Sequence, residues 1–246
     1  MNNRKKAGFL CFIPLLLLGG CFYPNSGAEE RQGPDESQIA AVQQAVDQYR
    51  EDEVNLLPIR TPENNPPLYE RYVIDFRQLM PRYMQEPPAN SFESGGSYQY
   101  MIIDPEEEAE VKVIDLRMTR EIREFEQRVS AYIAENEFAP IKESVAPGIF
   151  EADLEKLEYE ERPTVASPYF NTSLPLLINA DGEALVDYSI DINRALQVHE
   201  ASVDEGEDAR TVLVEHYPVV PAFSGTYELD ENGEPVLTGE EEPGQL

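Results

Sequence analysis

Ile39, Val42, Val46 and Tyr49 follow one another at spacings of three, four and three residues. Ile122, Phe125, Val129 and Tyr132 repeat those spacings 83 positions later. Each set draws one apolar stripe along a helix. Ser37 is placed to cap the first helix and Thr119 the second. The likeness runs on past the helices. Leu57-Pro58-Ile59-Arg60 answers to Ala139-Pro140-Ile141-Lys142, and Asp75-Phe76 with Leu79 answers to Asp153-Leu154 with Leu157. Glu86-Pro87 answers to Arg162-Pro163, with Tyr83 and Tyr159 ahead of them. Met101-Ile102-Ile103-Asp104 then answers to Leu176-Leu177-Ile178-Asn179, and Ile114-Asp115-Leu116 to Val186-Asp187-Tyr188. The offset shrinks from 83 to 72, as expected if the second copy has shorter loops.

Each unit therefore reads as a helix, an irregular Pro-rich crossing with a short helical turn, and a β-hairpin. The first hairpin turns through the acidic Pro105 to Ala109, the second through Ala180-Asp181-Gly182. Leu229-Asp230-Glu231-Asn232-Gly233-Glu234 echoes the second turn, after a short helix expected within Ala209 to Tyr217. This echo is either another hairpin or a degenerate third unit. The expected fold class is α+β: two tandem units, each an amphipathic helix packed on a small antiparallel sheet, with a C-terminal hairpin extension. The units occupy residues 35–117 and 118–192, the extension 193–238, and a disordered acidic tail 239–246.

The first 34 residues follow another pattern. Arg4, Lys5 and Lys6 form a basic head, and Ala7 to Leu18 carry no charge. That stretch of 12 residues is short of the roughly 20 that span a bilayer core, and it contains Pro14. Basic head and apolar run together make an export signal. Leu18-Gly19-Gly20-Cys21 resembles the lipobox of bacterial lipoproteins. The resemblance implies cleavage between Gly20 and Cys21, diacylglycerol on the Cys21 sulfur, and residues 22–34 as a tether. Cys11 leaves with residues 1–20, so Cys21 becomes the one cysteine of the mature chain. No intramolecular disulfide and no thiol chemistry are then expected.

Charge narrows the partners. The chain has 48 acidic and 19 basic residues, a formal charge of −29, and loss of the three basic residues of the signal takes it to −32. Such a surface excludes nucleic acid and electrostatic docking on anionic lipid. Membrane attachment would rest on the lipid at Cys21, and two acyl chains are enough for a stable anchor.

No catalytic constellation emerges. His199 and His216 have no further metal donors at local spacing. Ser94-Gly95-Gly96 lacks the context of a nucleophile and reads as a loop into the strand at Tyr98. Glu106-Glu107-Glu108 and Glu110 read as a solvated turn without the ligand order of a calcium loop. Tyr98, Tyr100, Tyr169 and Tyr188 are expected in the core or at its edge, with an exposed tyrosine recognition patch as the other reading. No cofactor is implied.

Two family resemblances complete this reading. Tyr49-Arg50-Glu51-Asp52, Pro58, Pro87-Pro88-Ala89-Asn90-Ser91-Phe92 and Tyr98-Gln99-Tyr100 resemble the soluble part of type II secretion pseudopilins. The resemblance implies a helix on a small sheet. It departs at the N-terminus, where a pseudopilin has a filament-forming helix. Over the whole chain the sequence resembles the YphF-type lipoproteins of bacilli. It rests on the lipobox, Ala45-Val46-Asp47-Gln48-Tyr49, Phe92-Glu93-Ser94-Gly95-Gly96, and Glu205-Gly206-Glu207-Asp208 with His216-Tyr217-Pro218. The expectation is a non-catalytic interaction or assembly module on the outer face of the cell membrane, with a protein partner at the cell surface. The alternative is the solute-binding lipoprotein of an ABC importer, which predicts α/β lobes around a cleft.

Overall fold

The computed structural model describes residues 33–61 and 66–240. The signal, Gly20, Cys21 and most of the tether lie outside the described residues, as do positions 241–246 of the expected tail.

Helix α1 spans Glu36–Asp52. Its cap is Asp35, whose carboxylate accepts the Ser37 N–H at 2.9 Å, so Ser37 sits within the first turn instead of capping it. The apolar stripe buries Val42, Ala45 and Val46. Two single-turn helices follow, α2 at Leu68–Arg71 and α3 at Phe76–Leu79. Strands β1 (Tyr98–Ile103) and β2 (Glu110–Asp115) form an antiparallel hairpin with Tyr98 opposite Asp115. Isolated antiparallel bridges, Ile59 to Ile74 and Val73 to Met101, extend it sideways. Val42 and Val46 pack with Ile74, Phe76, Ile102 and Val111 to make the first core.

The second long helix, α4, spans Thr119–Asn136 and buries Ile122, Phe125 and Val129. A 3-10 turn at Leu116–Met118 leads into it, and the Asp115 carboxylate accepts the Arg117 N–H at 2.9 Å. Thr119 therefore does not cap the helix; its hydroxyl donates back to the Leu116 carbonyl. Strands β3 (Ile141–Ala146) and β4 (Ile149–Ala152) come next, where an irregular crossing was expected. Pro147-Gly148 turns this hairpin, with Gly148 at φ +77° as a left-handed turn position requires. A short strand β5 (Thr164–Ala166) was also not anticipated. Strands β6 (Ser173–Asn179) and β7 (Ala184–Val186) are the expected hairpin. The sheet runs β3-β4-β6, with β5 and β7 also paired to β6, and every pairing is antiparallel.

Helix α5 covers Ser189–His199 and crosses the boundary expected at 192. Its Asp191 is fully buried on the face that carries Ile192 and Ala195, which interrupts the apolar stripe and hides the helix from pattern reading. Helix α6 (Thr211–His216) and the hairpin β8 (Thr226–Leu229) with β9 (Pro235–Gly239) complete the fold. Gly239 is in a strand, and the Glu240 carboxylate accepts from the Asn179 amide at 3.1 Å, so the ordered chain runs past the expected boundary at 238.

Residues 218–223 bind the halves together. Val113 and Val219 form a parallel bridge, and the Val186 N–H donates to the Phe223 carbonyl at 2.7 Å. Beside this seam Val214, Val220 and Ala222 pack with Tyr69, Met101 and Ile114. Arg210, 1% exposed, pairs with Asp208 at 2.6 Å and lies over the Tyr69 ring.

Candidate functional site

One long groove opens on the first region. Its wall is the face of α1 that carries Glu36, Ile39, Ala40, Gln43, Asp47 and Arg50. These positions recur at helical spacing beside the buried stripe. The floor is the start of β2 with the turn before it, and the far wall is residues 215–218. The groove has a volume of about 880 Å³.

Gln43 builds the junction between wall and floor. Its amide oxygen accepts the Val111 N–H at 2.7 Å, and its amide nitrogen donates to the Ala109 carbonyl at 3.0 Å. Further along the same edge of β2, Val113 N–H donates to the Pro218 carbonyl, and Val220 N–H donates to the Val113 carbonyl. A helix side chain thus does for the first half of this edge what a neighbouring strand does for the second.

Carboxylates dominate the lining: Glu36, Asp47, Asp104, Glu108, Glu110 and Glu215, against Arg50 and Lys112. The Lys112 side chain is 6% exposed, pairs with Glu110 at 2.7 Å and donates to the Tyr217 carbonyl at 3.3 Å. Its charge is therefore already matched. The Nε of Arg50 is buried without a hydrogen-bond partner. Ile39, Ala40, Ala109 and Val111 supply the apolar part of the surface.

Of the candidate site residues singled out in the sequence, Glu108, Glu110 and His216 line this groove, whereas Glu106, Glu107, His199 and Ser94 do not. His216 stacks on His199 with ring centres 3.9 Å apart, and the Tyr217 hydroxyl lies 3.0 Å from His199 Nε2. Tyr98, Tyr100 and Tyr188 are in the core, which favours packing over an exposed patch for them. Burial pushes the Tyr100 hydroxyl up to about 12, and the hydroxyl donates to the Asn90 side chain at 2.8 Å. Ser94-Gly95-Gly96 closes a 3-10 turn. A Cβ on Gly96 would stand 2.1 Å from the Asn90 carbonyl oxygen, so this position needs glycine for close backbone approach. Among the described residues no three His, Cys, Asp or Glu side chains converge as a metal site. None of their helices is long and apolar enough to cross a membrane. The lipidation site proposed from the sequence, Gly20-Cys21, is outside the described residues.

Sequence reading missed the groove, because it gathers residues from 36–50, 104–112 and 215–218. The one signal that pointed there was a long polar residue beside both helical stripes, Gln43 and, 83 positions on, Glu126.

Helix-on-hairpin packing with small antiparallel sheets defines an α+β protein. Residues 35–115 match the model of the YphF family N-terminal domain. The match begins at the cap of α1 and ends with β2, so it takes in two of the three sides of the groove. No curated protein and no solved structure matches the chain.

Proposed function

We propose that this chain is a YphF-type lipoprotein of bacilli, anchored by diacylglycerol on Cys21 to the outer face of the cell membrane. It acts there as a non-catalytic interaction or assembly module with a protein partner. The anchor rests on the sequence from Arg4 to Cys21. The observation that carries the module reading is the recurrence of a small helix-on-hairpin frame instead of α/β lobes. In the first region the Asp75 N–H donates to the Pro58 carbonyl at 2.7 Å; in the second the Asp153 N–H donates to the Pro140 carbonyl at 2.6 Å. Asp35, Asp115 and Asp187 each accept the N–H two residues on, ahead of α1, α4 and α5. The turn at Asp230 repeats that at Asn179: each side chain accepts the N–H groups two and four residues on. We read these correspondences as duplication, with the C-terminal segment as a reduced third copy. Stacked copies of a small unit are a common way to build a recognition surface.

A solute-binding component of an ABC importer, the other reading, needs parallel crossover strands framing an interlobe cleft. The antiparallel pairing throughout the named strands favours the module. Growth with labelled palmitate tests the anchor: label is expected on the protein and absent from Cys21→Ala, and label retained by that variant would refute it. Crosslinking in intact cells tests the module. A reproducible protein adduct is expected; saturable uptake of a small solute that depends on this chain would overturn it.

A further inference from the structure

We infer that the groove along α1 is a docking site for a basic, extended peptide segment of a partner protein. This rests on the module reading above and gives it a surface and a ligand chemistry.

The shape sets the length. From Glu36 to Arg50 the helical wall runs roughly 21 Å at the α-helical rise. An extended chain covers that in about six residues. The edge of the floor sets the mode of binding. Gln43 already occupies the Val111 N–H and the Ala109 carbonyl, so a peptide cannot add as a strand to this part of β2. Recognition must pass through side chains. The lining then sets their character. Of the six carboxylates, only Glu110 pairs with a cation among the described residues. The other five face a groove whose matched partner would be lysine or arginine. Between them Ile39 and Ala40 offer apolar contact to the stems of those side chains. A second copy of the chain is a poor occupant, because each copy carries a formal charge of −29.

The test uses the full chain in detergent and a fluorescent hexapeptide alternating lysine and leucine, read by anisotropy. Saturable binding that weakens with salt is expected, with no binding of the matching glutamate–leucine peptide. Glu36→Gln, Glu108→Gln and Glu215→Gln combined should weaken binding about tenfold, equivalent to about 1.4 kcal/mol. The same number of neutralisations at exposed sites outside the groove, Glu160→Gln, Glu161→Gln and Glu228→Gln, should leave it within about twofold. Equal losses in the two triple variants would mean attraction to a polyanion at large and would overturn the proposal, as would absence of binding. A photoreactive residue at Ala40, compared in cells with one at Phe138, which is exposed and outside the groove, separates this failure from that of the module. Adducts from Phe138 alone would remove the groove and keep the module; adducts from neither position would remove both. Adducts from Ala40 that map to a Lys/Arg-rich stretch of the partner are the result expected.

Discussion

The region from α1 to β2 and the region from α4 to β7 share a frame but finish it differently. In the second, the hairpin turn is tight and sits on the helix: a Cβ on Gly182 would stand 2.7 Å from Ile133 Cδ1 and 3.0 Å from Val129 Cγ1. In the first, Asp104 to Ala109 make a longer acidic turn that helps line the groove. A polar side chain ties helix to strand in both, but Gln43 donates and accepts, whereas Glu126 only accepts, from the Ala184 N–H at 3.1 Å. The difference teaches that turn length decides whether the space beside the helix is filled by the chain itself or left open. The closed version is a core element, and the open one leaves a groove beside its helix.

If so, the second region should depend more on its helix for stability. Phe125 and Val42 stand 83 positions apart, and both are 0% exposed. Phe125 packs on Tyr159 with ring centres 6.0 Å apart. Phe125→Ala is expected to cost about 4 kcal/mol and Val42→Ala about 2, from lost burial plus the cavity left. Urea melts measure both; equal losses would mean that the two helices are equally embedded.

The second region also has a loop the first lacks, 167–172 between β5 and β6, tied to α5 through Asp191. The Ser167 hydroxyl donates to this carboxylate at 2.7 Å and the Thr172 hydroxyl at 3.1 Å. Burial nevertheless raises Asp191 from 3.8 to about 6, against these two donors and Arg194. The folded state thus holds this proton more tightly than the unfolded state. The stability associated with it is complete below about pH 4 and is lost as pH rises through about 6, by about 3 kcal/mol at most. Asp191→Asn should remove that loss. The stability of the wild type minus that of the variant should therefore fall between pH 4 and 6, and a flat difference in melts across this range would refute the assignment.

Next in size is the turn. Gly182 and Gly95 share a φ of +84°, but nothing lies within 4 Å of a Cβ at Gly95. Gly95→Ala should cost about 1 kcal/mol for the backbone alone. Gly182→Ala adds the clash with Ile133 and Val129 and should cost about 2–3 kcal/mol. Similar costs at the two sites would show that the turn does not bear on α4.

What the amino-acid pattern made legible follows from these contacts. The two long helices were visible because their buried faces are uniformly apolar, and the turn at Ala180-Asp181-Gly182 because its backbone demands glycine. Strand β3 was invisible because both its faces are exposed from Ile141 to Val145, so no alternation marks it. Helix α5 was hidden by Asp191, a carboxylate on its core face. The cap of α1 was placed two residues late, at Ser37 instead of Asp35, and α4 has no side-chain cap, because Asp115 caps the 3-10 turn that leads into it. The groove depends on contacts between segments up to about 180 residues apart, which no local pattern encodes.

The smallest expected effects lie at Gln43 and Glu126, and they address the comparison most directly. In Gln43→Ala, the Val111 N–H and the Ala109 carbonyl lose a shared partner at the floor of the groove. Water entering the open groove can satisfy part of that loss, so the cost should be about 1 kcal/mol, well short of a fully buried pair. Gln43→Glu keeps the acceptor for Val111, but it removes the donor to Ala109 and sets a carboxylate beside Asp47, which now accepts from Gln43 at 2.9 Å. It should therefore cost about as much as alanine. Glu126→Gln keeps the acceptor that Ala184 uses and should change stability by less than about 0.5 kcal/mol. Amide hydrogen exchange places the effect: faster exchange at Val111 in both Gln43 variants, unchanged exchange at Ala184 in Glu126→Gln. If Gln43→Glu instead matched the wild type at Val111 and in stability, the donated bond to Ala109 would be dispensable. The two helix-to-strand ties would then be equivalent, and the open groove would owe nothing to the amide that distinguishes its wall.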